Sequence, residues 1–311
     1  MTLAIDTRDL TCTYGGTTAL DDVTLHLPAG TLCGLIGRNG AGKTTLLETI
    51  AAFRRPTRGE VRVGGVDPFE HAGLMAATCL VRETADVEAD GSIRDALWMV
   101  GGLRPHWDEE YAQHLLDRFG LDPKRKVKAL SLGQRSSVGI VIGLASRAPL
   151  TLFDESYLGL DAVGRKVFYE ELLADYLRSP RTVVVSTHLI GEIAPLLDHV
   201  VVLERGRLSL HEDVETLRSR GVTLTGPAEA VDRLAEGATV LESRRLGPTS
   251  QVTLYGALDD AARASAAATG VEVGPVALAD LLVHLTAIDA EAVGSDAAAG
   301  SSTTTTTEAR P

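Results

Sequence analysis

The run Gly37-Arg38-Asn39-Gly40-Ala41-Gly42-Lys43-Thr44 fits the pattern G-x-x-x-x-G-K-[ST]. Glycines at these positions let the backbone wrap closely enough for successive N–H groups to point at one phosphate. A helix that starts at the end of the loop adds the positive end of its dipole. Lys43 then reaches the terminal phosphates as a point charge, and the Thr44 hydroxyl suits Mg²⁺. By chance the pattern arises in roughly one chain in a hundred of this length. Here an apolar strand-like run, 31–36, precedes it, and Leu46, Leu47 and Ile50 follow at helical spacing. That context makes nucleotide binding by residues 37–45, Thr45 included, the expectation.

Four other segments could do chemistry beside such a loop. Leu150-Thr151-Leu152-Phe153-Asp154-Glu155 is an apolar run ending in two carboxylates; alone it could be the start of a solvated loop. Thr182-Val183-Val184-Val185-Ser186-Thr187-His188 is a second apolar run that ends in a histidine, which by itself is usually polar filler. Leu130-Ser131-Leu132-Gly133-Gln134 could be no more than a helix start capped by Ser131. Tyr14, before Gly15-Gly16, could be an ordinary strand residue.

Taken in order, these segments resemble the ATP-binding subunits of ABC transporters over about residues 3–219. The stretch 37–44 is similar to Walker A, 130–134 to the L-S-G-G-Q signature with Leu132 at a variable place, and 150–155 to Walker B. Gly159-Leu160-Asp161 resembles the D-loop, and His188 the switch histidine. The resemblance implies ATP and Mg²⁺ as cofactors, with Thr44 and Asp154 at the metal and Glu155 beside the attacking water. Lys43 and His188 would stand at the terminal phosphate, and Tyr14 would stack on adenine. It implies a second copy, or a paralogous subunit, facing the first head to tail, so that residues 130–134 act on the opposite subunit's ATP. It further implies an integral membrane permease as partner and a cytoplasmic location, peripheral on the inner face of the membrane. The helical stretch 104–121 looks like bacterial cassettes of the export or multidrug kind. Competing readings are a soluble ABC-type ATPase and a nucleotide-dependent regulator.

Two places depart from the family pattern. Glu83 stands where the Q-loop glutamine is expected, in an acidic segment, 83–90, that is either a solvated loop or a surface for a basic loop of the permease. Ser156-Tyr157 replaces the usual Pro-Thr/Ser after the glutamate, which is expected to loosen the turn into the D-loop.

These residues need a scaffold of alternating strands and helices. The expected fold is α/β: a P-loop NTPase core with an antiparallel β subdomain and a helical signature subdomain, plus a small C-terminal α+β domain. The expected limits are 1–220 for the cassette, with the helical subdomain at about 84–147, then 221–290 for the accessory domain. Strands are expected at 222–224, 239–241 and 251–255, and helices at 228–234, 258–268 and 278–288. The tail 291–311, rich in Ala, Gly, Ser and Thr, is expected to be disordered. With 30 basic against 42 acidic side chains the net charge is -12, which argues against a nucleic-acid partner. The start of the chain lacks the basic and apolar regions of a signal peptide, and no apolar run approaches the ~18 residues of a membrane span. Cys12, Cys33 and Cys79 lack metal-ligand spacing and read as small buried hydrophobes.

Overall fold

The computed structural model describes residues 2–82 and 90–283. Among these, contacts divide the chain into two units that meet in sequence between Asp213 and Val214. The first begins with β1 (Ile5–Tyr14) and β2 (Thr17–Leu27), followed by β3 (Leu32–Ile36), α1 (Lys43–Ile50) and β4 (Arg58–Val63). Next come α2 (Ala72–Ala77), β5 (Thr78–Val81) and three helices, α3 (Ile93–Gly101), α4 (Glu109–Arg118) and α5 (Leu132–Ala145). The unit closes with β6 (Leu150–Asp154), α6 (Ala162–Arg178), β7 (Thr182–Thr187), α7 (Ile190–Ile193), β8 (His199–Glu204) and β9 (Arg207–Asp213).

Six strands form the central sheet in the order β5-β6-β7-β3-β8-β9, all neighbours parallel except β8 and β9. Every residue of β3, β6 and β7 is buried, which is why these strands read as continuous apolar runs rather than alternating ones. In such an open parallel sheet, ligands bind outside the carboxyl ends of the strands. Those ends are where β3 feeds the glycine loop, β6 delivers Asp154 and Glu155, and β7 delivers His188. A separate antiparallel sheet, β2-β1-β4, shares one core with the central sheet and α1: Leu20, Val23 and Val63 belong to the same buried cluster as Leu35 and Val201 of the central sheet and Leu47 of α1.

The second unit holds α8 (Val214–Ser219), β10 (Gly221–Pro227), α9 (Ala228–Leu234), β11 (Thr239–Leu246), β12 (Thr249–Tyr255), α10 (Asp260–Ala268) and β13 (Glu272–Pro275). Its antiparallel sheet runs β11-β12-β10-β13, and Val222, Leu224, Val231, Val252, Leu254 and Ala266 make its core. A helix starts at 278; the rest of the expected 278–288 helix, and the tail, lie outside the described residues. The unit is α+β, as expected. Strand β13 was not foreseen, because 272–275 has no apolar alternation and is ordered by pairing with β10.

Helix α5 lies so close to the sheet that a Cβ on Gly143 would stand 2.6 Å from the Phe153 ring and 2.8 Å from Val81. Gly143→Ala is therefore expected to destabilise the first unit by about 1–3 kcal/mol through overpacking. A melting temperature equal to the parent's would show that Phe153 can yield.

Candidate functional site

The glycine loop is built for close approach. Gly42, at the start of α1, has φ 104°, and a Cβ there would lie 2.6 Å from the Ala19 carbonyl oxygen. No other residue fits that conformation in that space. The loop is braced from behind, where the Gly206 N–H donates to the Ala41 carbonyl at 3.0 Å. Its rim, Arg38, Asn39 and Gly40, is exposed, as is Thr44 on the first turn of α1. The first N–H groups of α1 have no partner within the helix, which leaves them as candidate phosphate donors. These residues fit a triphosphate.

Lys43 is only 4% exposed. Its Nζ donates to the carbonyls of Gly37 at 2.8 Å and Arg38 at 3.3 Å, and pairs with Glu155 Oε1 at 2.9 Å. The ammonium is thus held against the loop, with a carboxylate as counter-charge.

Asp154 ends β6 almost fully buried, and its Oδ1 accepts from the Ser186 hydroxyl at 2.7 Å. That same hydroxyl accepts from the Glu155 N–H at 3.2 Å. Ser186 sits opposite Asp154 in the β6–β7 register, so one serine orients both acidic residues. Glu155 has φ 48°, a left-handed conformation that costs a non-glycine residue about 1–3 kcal/mol and tends to persist where function needs it. The bend turns its carboxylate back to Lys43, and its Oε2 lies 3.9 Å from His188 Nδ1. The carboxylate oxygens of Asp154 and the exposed hydroxyl of Thr44 are the kind of hard oxygen donors that Mg²⁺ prefers.

The turn after Glu155 is tight rather than loose, which corrects the expectation drawn from Ser156-Tyr157. Both side chains are 1% exposed. Ser156 donates to the carbonyl of Val81, at the end of β5, at 3.0 Å. The Tyr157 hydroxyl accepts from Thr187 Oγ1 at 2.9 Å and from the His188 N–H at 3.2 Å, and lies 3.4 Å from His188 Nδ1. Side-chain bonds replace the rigidity a proline would give. Burial raises the Tyr157 pKa, so the phenol keeps its proton.

The other residues singled out in the sequence have their own local contacts. Tyr14 donates to Thr45 Oγ1 at 3.2 Å, and the Arg54 guanidinium covers its ring at 4.2 Å. Glu48 holds Arg54 at 3.2 Å and Arg82 at 3.2 Å. Asp161 caps α6, accepting from the Gly164 N–H at 2.8 Å. Ser131 caps α5 in a reciprocal box with Gln134, and Leu132 beside it is 50% exposed. Leu130 is buried, whereas Gly133 approaches the 158–160 loop: a Cβ on Gly159 would lie 3.1 Å from Gly133 Cα. The signature-like and D-loop-like segments are therefore in backbone contact. Glu83 lies outside the described residues. Sequence reasoning did not single out Ser186 as a positioning group. It stands in the quoted 182–188 run, but only the strand register shows what its hydroxyl reaches.

The profile of the family described as ABC transporter matches residues 20–157. The chain is 30% identical over 246 residues to the bacitracin transport ATP-binding protein BcrA of Enterococcus faecalis, covering 78% of this chain and 79% of that one. It is 34% identical over 251 residues to the aliphatic sulfonates import ATP-binding protein SsuB of Pectobacterium atrosepticum, covering 80% and 88%. Among solved structures, a dimeric ATP-binding cassette in a post-hydrolysis state, bound to ADP and phosphate, shares the fold. Its TM-score is 0.61 at 22% identity, over 68% of this chain and 98% of that one. On these relatives the chain belongs to the ATP-binding proteins of ABC transporters, the ATPases of those assemblies.

Proposed function

We propose that two copies of this chain, or this chain and a paralogous subunit, close head to tail around ATP to drive an integral membrane permease. The observation that carries the reading is the convergence of Lys43, Asp154, Glu155 and His188 at the carboxyl ends of β3, β6 and β7. Residues 37–45 would grip the triphosphate, with Tyr14 stacked on adenine. Thr44 and Asp154 would hold Mg²⁺, which when bound supplies positive charge to the terminal phosphoryl oxygens. Glu155 orients the attacking water or takes its proton, while Lys43 and His188 donate toward the developing negative charge. Ser131 and Gly133, at the solvent-facing start of α5, complete the cage on the opposite subunit's nucleotide.

The location would then be cytoplasmic, peripheral on the inner membrane face; no helix among the described residues is long and apolar enough to cross a membrane. Export is the proposed direction, supported by the resemblance of 104–121 to export cassettes. The cassette would end at Asp213 rather than at the expected residue 220, because α8 belongs to the second unit; that unit would be an accessory domain that pads the assembly, and Glu83 would be the Q-loop position.

Ser131→Arg tests the shared site, because its bulk and charge meet the other copy while leaving the α1 loop alone. Purified protein is expected to keep monomer affinity for MgATP within about threefold, yet lose at least about tenfold in turnover and fail to dimerise with ATP. Parent turnover in that variant, or isolation of the chain with ribosomes or DNA rather than a permease, would overturn the proposal.

A further inference from the structure

The His188 imidazole can present either ring nitrogen as its N–H, and only an N–H can donate to a phosphoryl oxygen. Which nitrogen carries the proton follows from an account of the hydroxyls behind it. Thr187 Oγ1 accepts from the Leu189 N–H at 2.8 Å and donates to the Tyr157 oxygen at 2.9 Å. The Tyr157 oxygen also accepts the His188 N–H at 3.2 Å, which uses both of its lone pairs. One bonding capacity is left on Tyr157, its own proton, and His188 Nδ1 at 3.4 Å is the acceptor within reach.

The geometry points to Tyr157 as a positioning residue that fixes His188 in the tautomer with Nδ1 accepting and Nε2 carrying the proton. His188 is 38% exposed in its side chain while Tyr157 is 1% exposed, so the buried partner sets the orientation of the freer one. Burial also keeps the phenol protonated, as a donor must be. The other group facing Nδ1 is the Glu155 carboxylate at 3.9 Å. It would favour the opposite tautomer, with Nδ1–H turned to Oε2 and no N–H left on Nε2. Tyr157 prevents that pairing, so both His188 and Glu155 stay available for the reaction. Ser156, bonded to the Val81 carbonyl, anchors the turn on which Tyr157 is mounted.

The catalytic part of this inference rests on His188 acting at the terminal phosphate; the tautomer does not. The experiment therefore has two arms, both on the full chain. In protein labelled with ¹⁵N-histidine, with the His188 signals identified by their loss in His188→Gln, the parent is expected to show a protonated Nε2 and an unprotonated Nδ1. Tyr157→Phe, which keeps the ring, is expected to shift His188 toward the other tautomer. Steady-state kinetics of Tyr157→Phe should show kcat lowered about tenfold with KM for ATP within about twofold, the split expected when an interaction acts in the transition state. A protonated Nδ1 in the parent, or unchanged His188 signals in Tyr157→Phe, would overturn the inference. Parent-like hydrolysis in His188→Gln, with the tautomer shift intact, would instead remove His188 from catalysis and leave the tautomer assignment standing.

Discussion

Glu155→Gln is expected to lower ATP turnover at least a hundredfold while the protein accumulates as an ATP-bound dimer. A positioned general base contributes on the order of 10²–10⁴ in rate, and the amide can still accept a hydrogen bond from water but cannot take its proton. The geometry adds a second effect. In the parent, Glu155 Oε1 pairs with Lys43 Nζ at 2.9 Å, so this ion pair must open before Lys43 can serve a phosphate fully. A neutral amide weakens that competition and removes one negative charge from beside the incoming triphosphate. Nucleotide affinity should therefore rise, or hold, as turnover falls. Turnover of MgATP, nucleotide retention on gel filtration and direct binding check the three parts. Hydrolysis at the parent rate would remove Glu155 from the reaction, and weaker binding would show that the Lys43–Glu155 pair is no competitor.

Much of this site is legible in the residue order because its parts are local. The glycine loop is a contiguous turn between a strand and a helix, and the acidic pair and His188 each end a contiguous apolar strand. Strands β3, β6 and β7 are buried on both faces, so each stands out as an apolar run. What the order hides is long-range. Strand β5, four residues long, was not foreseen, and its place at the sheet edge is set by pairing with β6. Ser186 reaches Asp154 across 32 positions of sequence, and Tyr157 reaches Thr187 across 30. The loosening expected at Ser156-Tyr157 came from counting a lost proline. The turn is held by side-chain bonds to β5 and β7 that only the sheet order brings near. A similar limit applies at Ser131: a capped helix start and a surface for a second subunit look the same in sequence. In the fold the residue caps α5 and stands exposed, so it can serve as both.

Lys43→Ala is the other large effect, and it separates grip from chemistry. The ammonium makes two bonds to loop carbonyls, at 2.8 and 3.3 Å, besides its pair with Glu155, at 4% exposure. Hydrogen bonds to a charged group are worth about 1.5–3 kcal/mol each, so losing the one it would make to phosphate weakens binding about 10- to 100-fold. Truncation also leaves the Glu155 carboxylate without its cation, so a triphosphate meets one more uncompensated negative charge. The combined expectation is binding weakened by about a hundredfold or more and turnover below detection. If electrostatic repulsion carries part of that loss, Lys43→Ala combined with Glu155→Gln should recover about tenfold in nucleotide affinity while hydrolysis stays absent, since neither change restores the other's role. Calorimetric titration with ATP and Mg²⁺ across the two single variants and the double reads this directly. Equal affinity in Lys43→Ala and its double would assign the whole loss to the missing ammonium. Parent-like binding in Lys43→Ala would mean that the loop's backbone N–H groups hold the triphosphate without it.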